Sequence, residues 1–260
     1  MTQRVSATPD GHVLVIRLTR ADKRNAADMQ MLEELAHAYA QLEADPQLRV
    51  GLITADGDHF TGGLDLADIA PRLTAAGLNI VPDGAIDPWG VQTDPVSKPV
   101  VMAVKGTCFT LGIELMLAAD IAVAADTSIF AQLEVQRGIL PFGGATLRFA
   151  SRCGWGNAMR WMLTGDTFDA NIAHAMGLVQ EVVEVAQVES RGLEIAQRIA
   201  AAAPLAVAAT LRNSRLAARA TEQAAIAQLQ PELVALMQSR DARAAFESYL
   251  TKVPPVFEGR

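Results

Sequence analysis

Two kinds of hydrophobic spacing alternate in the first half of the chain. Short apolar runs rich in β-branched residues occupy 12–18, 49–54 and 100–104, and runs of this type are typical of strands. From Asp28 to about Glu43, apolar residues recur every three or four positions, which predicts an amphipathic helix with Asp28 as its N-cap. The order strand, helix, strand predicts an α/β fold.

A similar order occurs again further along the chain. The strand predicted at 100–104 is followed by a predicted helix at 111–119 and by another apolar run at 121–125. Its resemblance in order to residues 50–70 predicts repeated ββα or βαβ units, although the two copies share little sequence identity.

After residue 155 the spacing becomes mostly helical. Predicted helices lie at 157–163, 170–176, 189–202, 205–218 and 220–250, with a short strand at 182–185. The composition changes near Glu189 into Ala- and Arg-rich helices. We therefore expect a core of residues 1–188 and a C-terminal helical region of residues 189–260.

Residues 70–98 show little regular spacing. Four prolines and four glycines or asparagines interrupt them. A long irregular segment within a domain is often a lid or a binding loop. Trp89, in the sequence Asp-Pro-Trp-Gly, is its candidate contact with a ligand.

Composition excludes several classes of partner. The 260 residues are 50% hydrophobic and carry a net charge of -7, which argues against nucleic acid because phosphate binding needs a basic surface. The longest apolar stretch, 111–125, contains Glu114 and Asp120, so no membrane-spanning helix is expected. The first residues contain no apolar run typical of a secretory signal. We expect a cytoplasmic protein.

Familiar catalytic and cofactor motifs are missing from the sequence. There is no Gly-x-Ser-x-Gly elbow, no Walker A or Gly-x-Gly-x-x-Gly motif, and no His or Cys spacing typical of a metal site. Cys108 and Cys153 are expected to be buried and reduced. These patterns indicate neither a metal nor a nucleotide cofactor.

Two glycine-containing turns, 61–65 and 110–114, each precede a predicted helix. The first residues of a helix leave backbone N–H groups without partners, and glycine lets a ligand approach the backbone closely. If the turns face one another, two N–H groups can bind one oxygen, as in an oxyanion hole. The alternative is two ordinary helix starts.

Two glutamates, Glu114 and Glu134, lie in apolar surroundings. Two carboxyls in one dry pocket shift each other's pKa values apart and so provide an acid and a base. The alternative is a pair of buried salt bridges, for example from Glu134 to Arg137 or Arg148.

Five segments in order resemble the enoyl-CoA hydratase/isomerase (crotonase) superfamily. They are residues 16–26, 60–66, 98–121, 130–144 and 254–260. The resemblance covers nearly the whole chain. It implies a spiral of ββα units with a C-terminal helical region that drives assembly into a trimer, often a dimer of trimers.

The resemblance also implies an acyl-CoA thioester as substrate, with no separate cofactor because coenzyme A is part of the substrate. The N–H groups of Leu64 and Leu111 would hold the thioester oxygen. Relatives with both glutamates are typically hydratases. Glu134 would then protonate the α-carbon, and Glu114 would orient and activate the water that attacks the β-carbon. The CoA contacts would come from Lys23, Arg24, Ala26, Gly62, Asp65, Leu66 and Phe257. Trp89 and Phe142 are further candidate substrate contacts that the resemblance does not supply.

Three features depart from the family pattern and bear on the acyl group. Relatives often have glycine where this chain has Leu111, Phe142 adds bulk near Glu134, and segment 70–98 matches no general pattern. An isomerase, hydrolase or decarboxylase acting on acyl-CoA is the alternative on the same fold. A non-catalytic acyl-CoA- or RNA-binding relative is the alternative of another class.

Overall fold

Two β-sheets organise the chain. The computed structural model describes residues 2–72, 74, 77–202, 204–219, 234, 237–238 and 240–253. The strands of this part are β1 (Val5–Asp10), β2 (Val13–Leu18), β3 (Val50–Ala55), β4 (Val100–Val104), β5 (Thr107–Phe109), β6 (Ile121–Ala125), β7 (Ile129–Ala131), β8 (Thr167–Asp169) and β9 (Glu181–Val183). The larger sheet has the order β1-β2-β3-β4-β6-β9 and is parallel except for β1. The smaller sheet has the order β5-β7-β8.

Helices connect and cover these strands. They are α1 (Met29–Ala44), α2 (Leu66–Ile69), α3 (Leu111–Ala118), α4 (Ala145–Cys153), α5 (Trp155–Thr164), α6 (Ala170–Ala175), α7 (Val188–Ala200), α8 (Pro204–Arg219) and α9 (Arg240–Thr251). The predicted N-cap of α1 is confirmed, since the carboxylate of Asp28 accepts from the N–H of Met31 at 3.0 Å.

The larger sheet is buried on both faces. In β4, Val100, Met102 and Val104 face the main core, whereas Val101 and Ala103 face a second cluster shared with α7. Successive side chains of a strand point to opposite faces, so a strand buried on both sides is apolar throughout. This explains why the apolar runs at 100–104 and 121–125 were recognisable as strands.

The sequence prediction missed the smaller sheet, the edge strand β1 and helix α4. The smaller sheet consists of three-residue strands, which are too short to show a periodic pattern. The edge strand β1 was missed because its sequence, VSATPD, is largely polar. Helix α4 was missed because it follows directly after the pair Gly143 and Gly144, which the sequence indicates as a turn.

The segment before β4 is irregular, as predicted, but it is held by its own side chains. The amide of Gln92 donates to the carbonyl oxygen of Leu78 at 2.8 Å and accepts from the N–H of Ile80 at 3.2 Å. The side chain of Gln92 therefore links the early part of this segment, at Leu78 and Ile80, to its later part.

The C-terminal region is described in part. Helices α7, α8 and α9 agree with the predicted helical character, while most of the helix predicted at 220–250 and Phe257 lie outside the described residues. The boundary placed at residue 189 stays a prediction. Arg137 lies over the ring of Tyr249 at 5.4 Å, so α9 contacts the 3-10 turn Glu134–Arg137.

Replacement of Leu42 by alanine is predicted to destabilise the fold. Leu42 is fully buried in α1 and packs against Gly51 of β3. Leu42→Ala should lower the free energy of unfolding by about 2–5 kcal/mol. Its neighbour Gln41 is exposed, and Gln41→Ala should change stability by no more than about 0.5 kcal/mol. Urea denaturation measures both, and equal losses would contradict the described packing.

Candidate active site

A cavity of about 500 Å³ lies between α3, the irregular segment and the 3-10 turn that begins at Glu134. All the predicted site residues other than Phe257 line it. The predicted CoA contacts among them are Lys23, Arg24, Ala26, Gly62, Asp65 and Leu66. The other predicted residues are Leu64, Trp89, Leu111, Glu114, Glu134 and Phe142. The structure thus brings together residues from segments that are distant in sequence.

The two glycine turns lie side by side at this cavity. The N–H of Thr61 donates to the carbonyl oxygen of Thr107 at 3.0 Å, and the N–H of Phe109 donates to that of Thr61 at 3.1 Å. Gly63 has a φ of +101°, and a Cβ atom there would lie 2.4 Å from Oγ1 of Thr110. Only glycine fits at Gly63, and its absent side chain is what lets the turns touch.

Two backbone donors in these turns are available to a ligand. Leu111 is the first residue of α3, and its N–H therefore has no acceptor within the helix. In the part of the chain that the structure describes, neither Leu64 nor Leu111 donates its N–H to another protein atom. Both residues line the cavity. This arrangement suits an oxyanion, and the role predicted for the two residues remains a prediction.

Thr110, which precedes this donor, has an unfavourable backbone conformation. Its φ is 49° and its ψ is -111°, values that a β-branched residue rarely adopts. Such a conformation costs on the order of 1–3 kcal/mol and persists only when neighbouring contacts fix it. One of these contacts is the bond from the N–H of Thr110 to the carbonyl oxygen of Ala131 at 2.9 Å.

Glu114 projects from α3 and is only 3% exposed. Burial raises the pKa of its carboxyl to about 7, while the N–H groups of Ala145, Gly143 and Gly144 and the charge of Arg148 act in the opposite direction. The Ala145 N–H lies 3.1 Å from Oε1. These donors come from the start of α4, where the helix has N–H groups without helical acceptors.

Glu134 begins the 3-10 turn and is 6% exposed. Its Oε1 accepts from the amide of Gln132 at 2.9 Å, and its Oε2 has no hydrogen-bond partner among the described residues. Burial, and then the negative charge of Glu114, raise the pKa of this carboxyl well above its ordinary value. Over the same residues Glu134 makes no ion pair with Arg137 or Arg148, so the salt-bridge alternative is not supported for it.

The two carboxyls therefore share one dry environment and have different proton affinities. Glu114 has three backbone donors from other residues and one nearby cation, whereas Glu134 has the amide of Gln132, its own backbone N–H and the opposing charge of Glu114. The larger number of donors around Glu114 favours ionisation there, and the poorer environment of Glu134 favours its protonated form. One acid and one base can thus coexist near neutral pH.

Several cavity residues escaped the sequence analysis. Tyr249 reaches the cavity from α9 and Arg137 from the 3-10 turn. No local pattern marks Tyr249, because it lies more than a hundred positions from the residues it approaches. Thr110 lies in the glycine-containing turn 110–114, but nothing in the sequence shows its backbone conformation.

No group of His, Cys, Asp and Glu side chains within the described ranges could hold a metal ion. None of the helices described is both long and apolar enough to cross a membrane.

Comparisons with known proteins agree with this architecture. The family described as Enoyl-CoA hydratase/isomerase matches residues 8–260. Carnitinyl-CoA dehydratase of Escherichia coli strain K12 is 32% identical over 269 residues, which cover 100% of each chain.

Two solved structures extend the agreement to the fold. A probable enoyl-CoA hydratase/isomerase from Mycobacterium abscessus is 51% identical, covers 99% of each chain and has a TM-score of 0.81. A carnitinyl-CoA hydratase from Mycobacterium avium is 29% identical over 100% of each chain, with a TM-score of 0.90. The resemblance predicted from the sequence is confirmed, as is the fold class: the chain belongs to the enoyl-CoA hydratase/isomerase (crotonase) family.

Proposed function

We propose that this protein is an enoyl-CoA hydratase that adds water reversibly to a 2-enoyl-CoA thioester. The observation that carries the proposal is the pair of buried carboxyls with different hydrogen-bond donors, Glu114 and Glu134, at the wall of the cavity. Addition of water to a carbon–carbon double bond needs a base for the water and an acid for the α-carbon. The pair supplies both.

The backbone donors stabilise the charge that this reaction creates. Attack of water on the β-carbon moves negative charge onto the thioester oxygen. The N–H groups of Leu64 and Leu111 hold that oxygen in the proposed complex, and one such donor contributes roughly 2.7–4 kcal/mol in comparable holes.

Proton transfer follows from the two carboxyl environments. Ionised Glu114 takes a proton from the attacking water, and protonated Glu134 gives its proton to the α-carbon. The oxygen Oε2 of Glu134, which has no partner among the described residues, is suited to this donation. In dehydration the same steps run in reverse.

The acyl group is proposed to be apolar. Trp89 lies next to Gly143, whose N–H donates a hydrogen bond to Glu114. The cavity wall around Trp89 therefore faces the reacting end of the substrate in the proposed complex. The neighbouring lining residues are hydrophobic, namely Leu32, Leu78, Ile80, Val91 and Phe142. Apolar walls of this kind bind a hydrocarbon or aromatic chain by excluding water from it.

A homotrimer or hexamer is also proposed. On α5 the large side chains of Trp155 and Leu163 are 72% and 65% exposed. Large exposed apolar side chains on one helix are typical of a surface that another subunit covers.

Removal of either acid is predicted to abolish most of the activity. Glu134→Gln and Glu114→Gln should each lower kcat for hydration of crotonyl-CoA about 10²–10⁴-fold, because a positioned acid or base contributes that much. Loss of the enoyl-thioester absorbance measures the rate. Glu33→Gln, at an exposed position of α1, is the matched control and should retain full activity.

Two outcomes would overturn the proposal. One is that the wild-type protein leaves short, medium and aromatic 2-enoyl-CoA thioesters unchanged. The other is that it converts a 3-enoyl-CoA to its 2-enoyl isomer without adding water. The second outcome identifies an isomerase. A fully active Glu134→Gln variant would remove Glu134 as the proton donor.

The pH profile should have two limbs with separate origins. Because the pKa of Glu114 is raised to about 7, kcat/KM should increase as the pH rises through that region and Glu114 ionises. It should decrease at higher pH, where Glu134 loses its proton. Both apparent values belong to the interacting pair.

Glu114→Gln separates the two limbs. The rising limb should disappear from the residual activity. The falling limb should move to lower pH, since the charge of Glu114 no longer raises the pKa of Glu134. A rising limb that persists in Glu114→Gln would assign it to another group.

A further inference from the structure

Trp89 joins the irregular segment to the first turn of α3. Its indole Nε1–H donates to the carbonyl oxygen of Leu111 at 3.0 Å, and the side chain is buried. Its Cδ1 atom lies 3.2 Å from the position that a Cβ atom of Gly143 would occupy. One side chain thus contacts the residue that carries the proposed oxyanion donor and a residue that bonds Glu114.

Asp87 fixes the backbone around Trp89. Its carboxylate is fully buried, and it accepts from the N–H groups of Trp89 at 3.0 Å and of Val91 and Gln92 at 2.7 Å each. Asp87 forms no salt bridge among the described residues. Backbone N–H groups therefore satisfy this buried charge, and such charge-assisted bonds hold a turn more firmly than neutral ones.

The turn before α3 needs contacts of this kind. Thr110 has an unfavourable backbone conformation, which is kept only if its surroundings determine it. The chain has Leu111, a residue with a side chain, directly after it. On one side the turn is held by the bond between Thr110 and Ala131, and on the other by the indole of Trp89.

We infer that Trp89 is a positioning residue for the Leu111 N–H and that Asp87 acts through Trp89. The inference rests on the proposed function, because it concerns the thioester-oxygen site of the same cavity. The indole bond holds the first turn of α3 so that the N–H of Leu111 keeps its direction. Its loss changes the stabilisation of developing charge more than it changes binding of the substrate.

Trp89→Phe tests the hydrogen bond while it keeps an aromatic wall. We expect kcat for hydration to fall about 5–10-fold with KM changed less than about 2-fold, since one neutral hydrogen bond has an effect of that order. Trp161→Phe is the matched control. Trp161 is also buried and contacts Phe168 at 4.7 Å between ring centroids, but it does not line the cavity. Its replacement should leave kcat unchanged.

A spectroscopic measurement tests positioning without turnover. Hydrogen bonds to the carbonyl of bound cinnamoyl-CoA polarise its conjugated system and shift its absorbance to longer wavelength. The shift should be full in the wild type and in Trp161→Phe, and smaller in Trp89→Phe. With both glutamates replaced by glutamine, the shift can be read without hydration.

A second variant is the control for the change in side-chain shape. β-(3-Benzothienyl)alanine at position 89 has nearly the outline of tryptophan but no N–H donor. It should reproduce the kcat decrease and the smaller shift even if Trp89→Phe does not fold. Normal kcat and a full shift in this variant would overturn the inference.

Asp87→Asn tests the link from Asp87 to Trp89. It should reduce the shift as Trp89→Phe does, and the double variant should show no further reduction, because both changes act at one contact. A further reduction of the absorbance shift in the double variant would show that Asp87 does not act through Trp89. A wild-type shift without hydration of any enoyl-CoA would contradict the proposed function and leave this inference standing.

Discussion

The removal of two carboxyls from water is the constraint on which the site depends. Glu114 and Glu134 are almost completely buried, and burial is the largest cause of the raised pKa of each. A buried charge is tolerated only where donors or cations compensate for lost hydration. The start of α4 provides such donors to Glu114, whereas Glu134 has only the amide of Gln132 and its own backbone N–H among the described residues. In the proposed mechanism, this unequal compensation makes the first the base and the second the acid.

The fold places these compensating groups by backbone geometry rather than by charged side chains. Gly143 must lack a side chain, because a Cβ atom there would lie 2.6 Å from Oε2 of Glu114. The smaller sheet brings the turns at Thr61 and Thr110 together and so creates the cavity wall that carries the N–H donors. Backbone donors cannot rotate away, so their direction is set before a substrate binds.

Much of this arrangement could be predicted from the sequence, and the missing part has a physical reason. The buried strand β4 and helix α1 are long and regular, so their spacing identifies them. The two glutamates stand out because carboxylates are rare in apolar runs. The bond from Ala145 to Glu114 joins residues 31 positions apart, and a contact of that kind leaves no local pattern. The same holds for Tyr249, which lines the cavity from α9.

Leu111, at a position where relatives often have glycine, is the first residue of α3, and the unfavourable backbone conformation lies one residue earlier, at Thr110. A glycine at position 110 would adopt this conformation without strain, whereas Thr110 must be held in it. The irregular segment supplies part of that support through the indole of Trp89. A segment that matches no general family pattern therefore contacts the strained turn that carries the proposed oxyanion donor. In this chain, changes in either would be expected to require changes in the other.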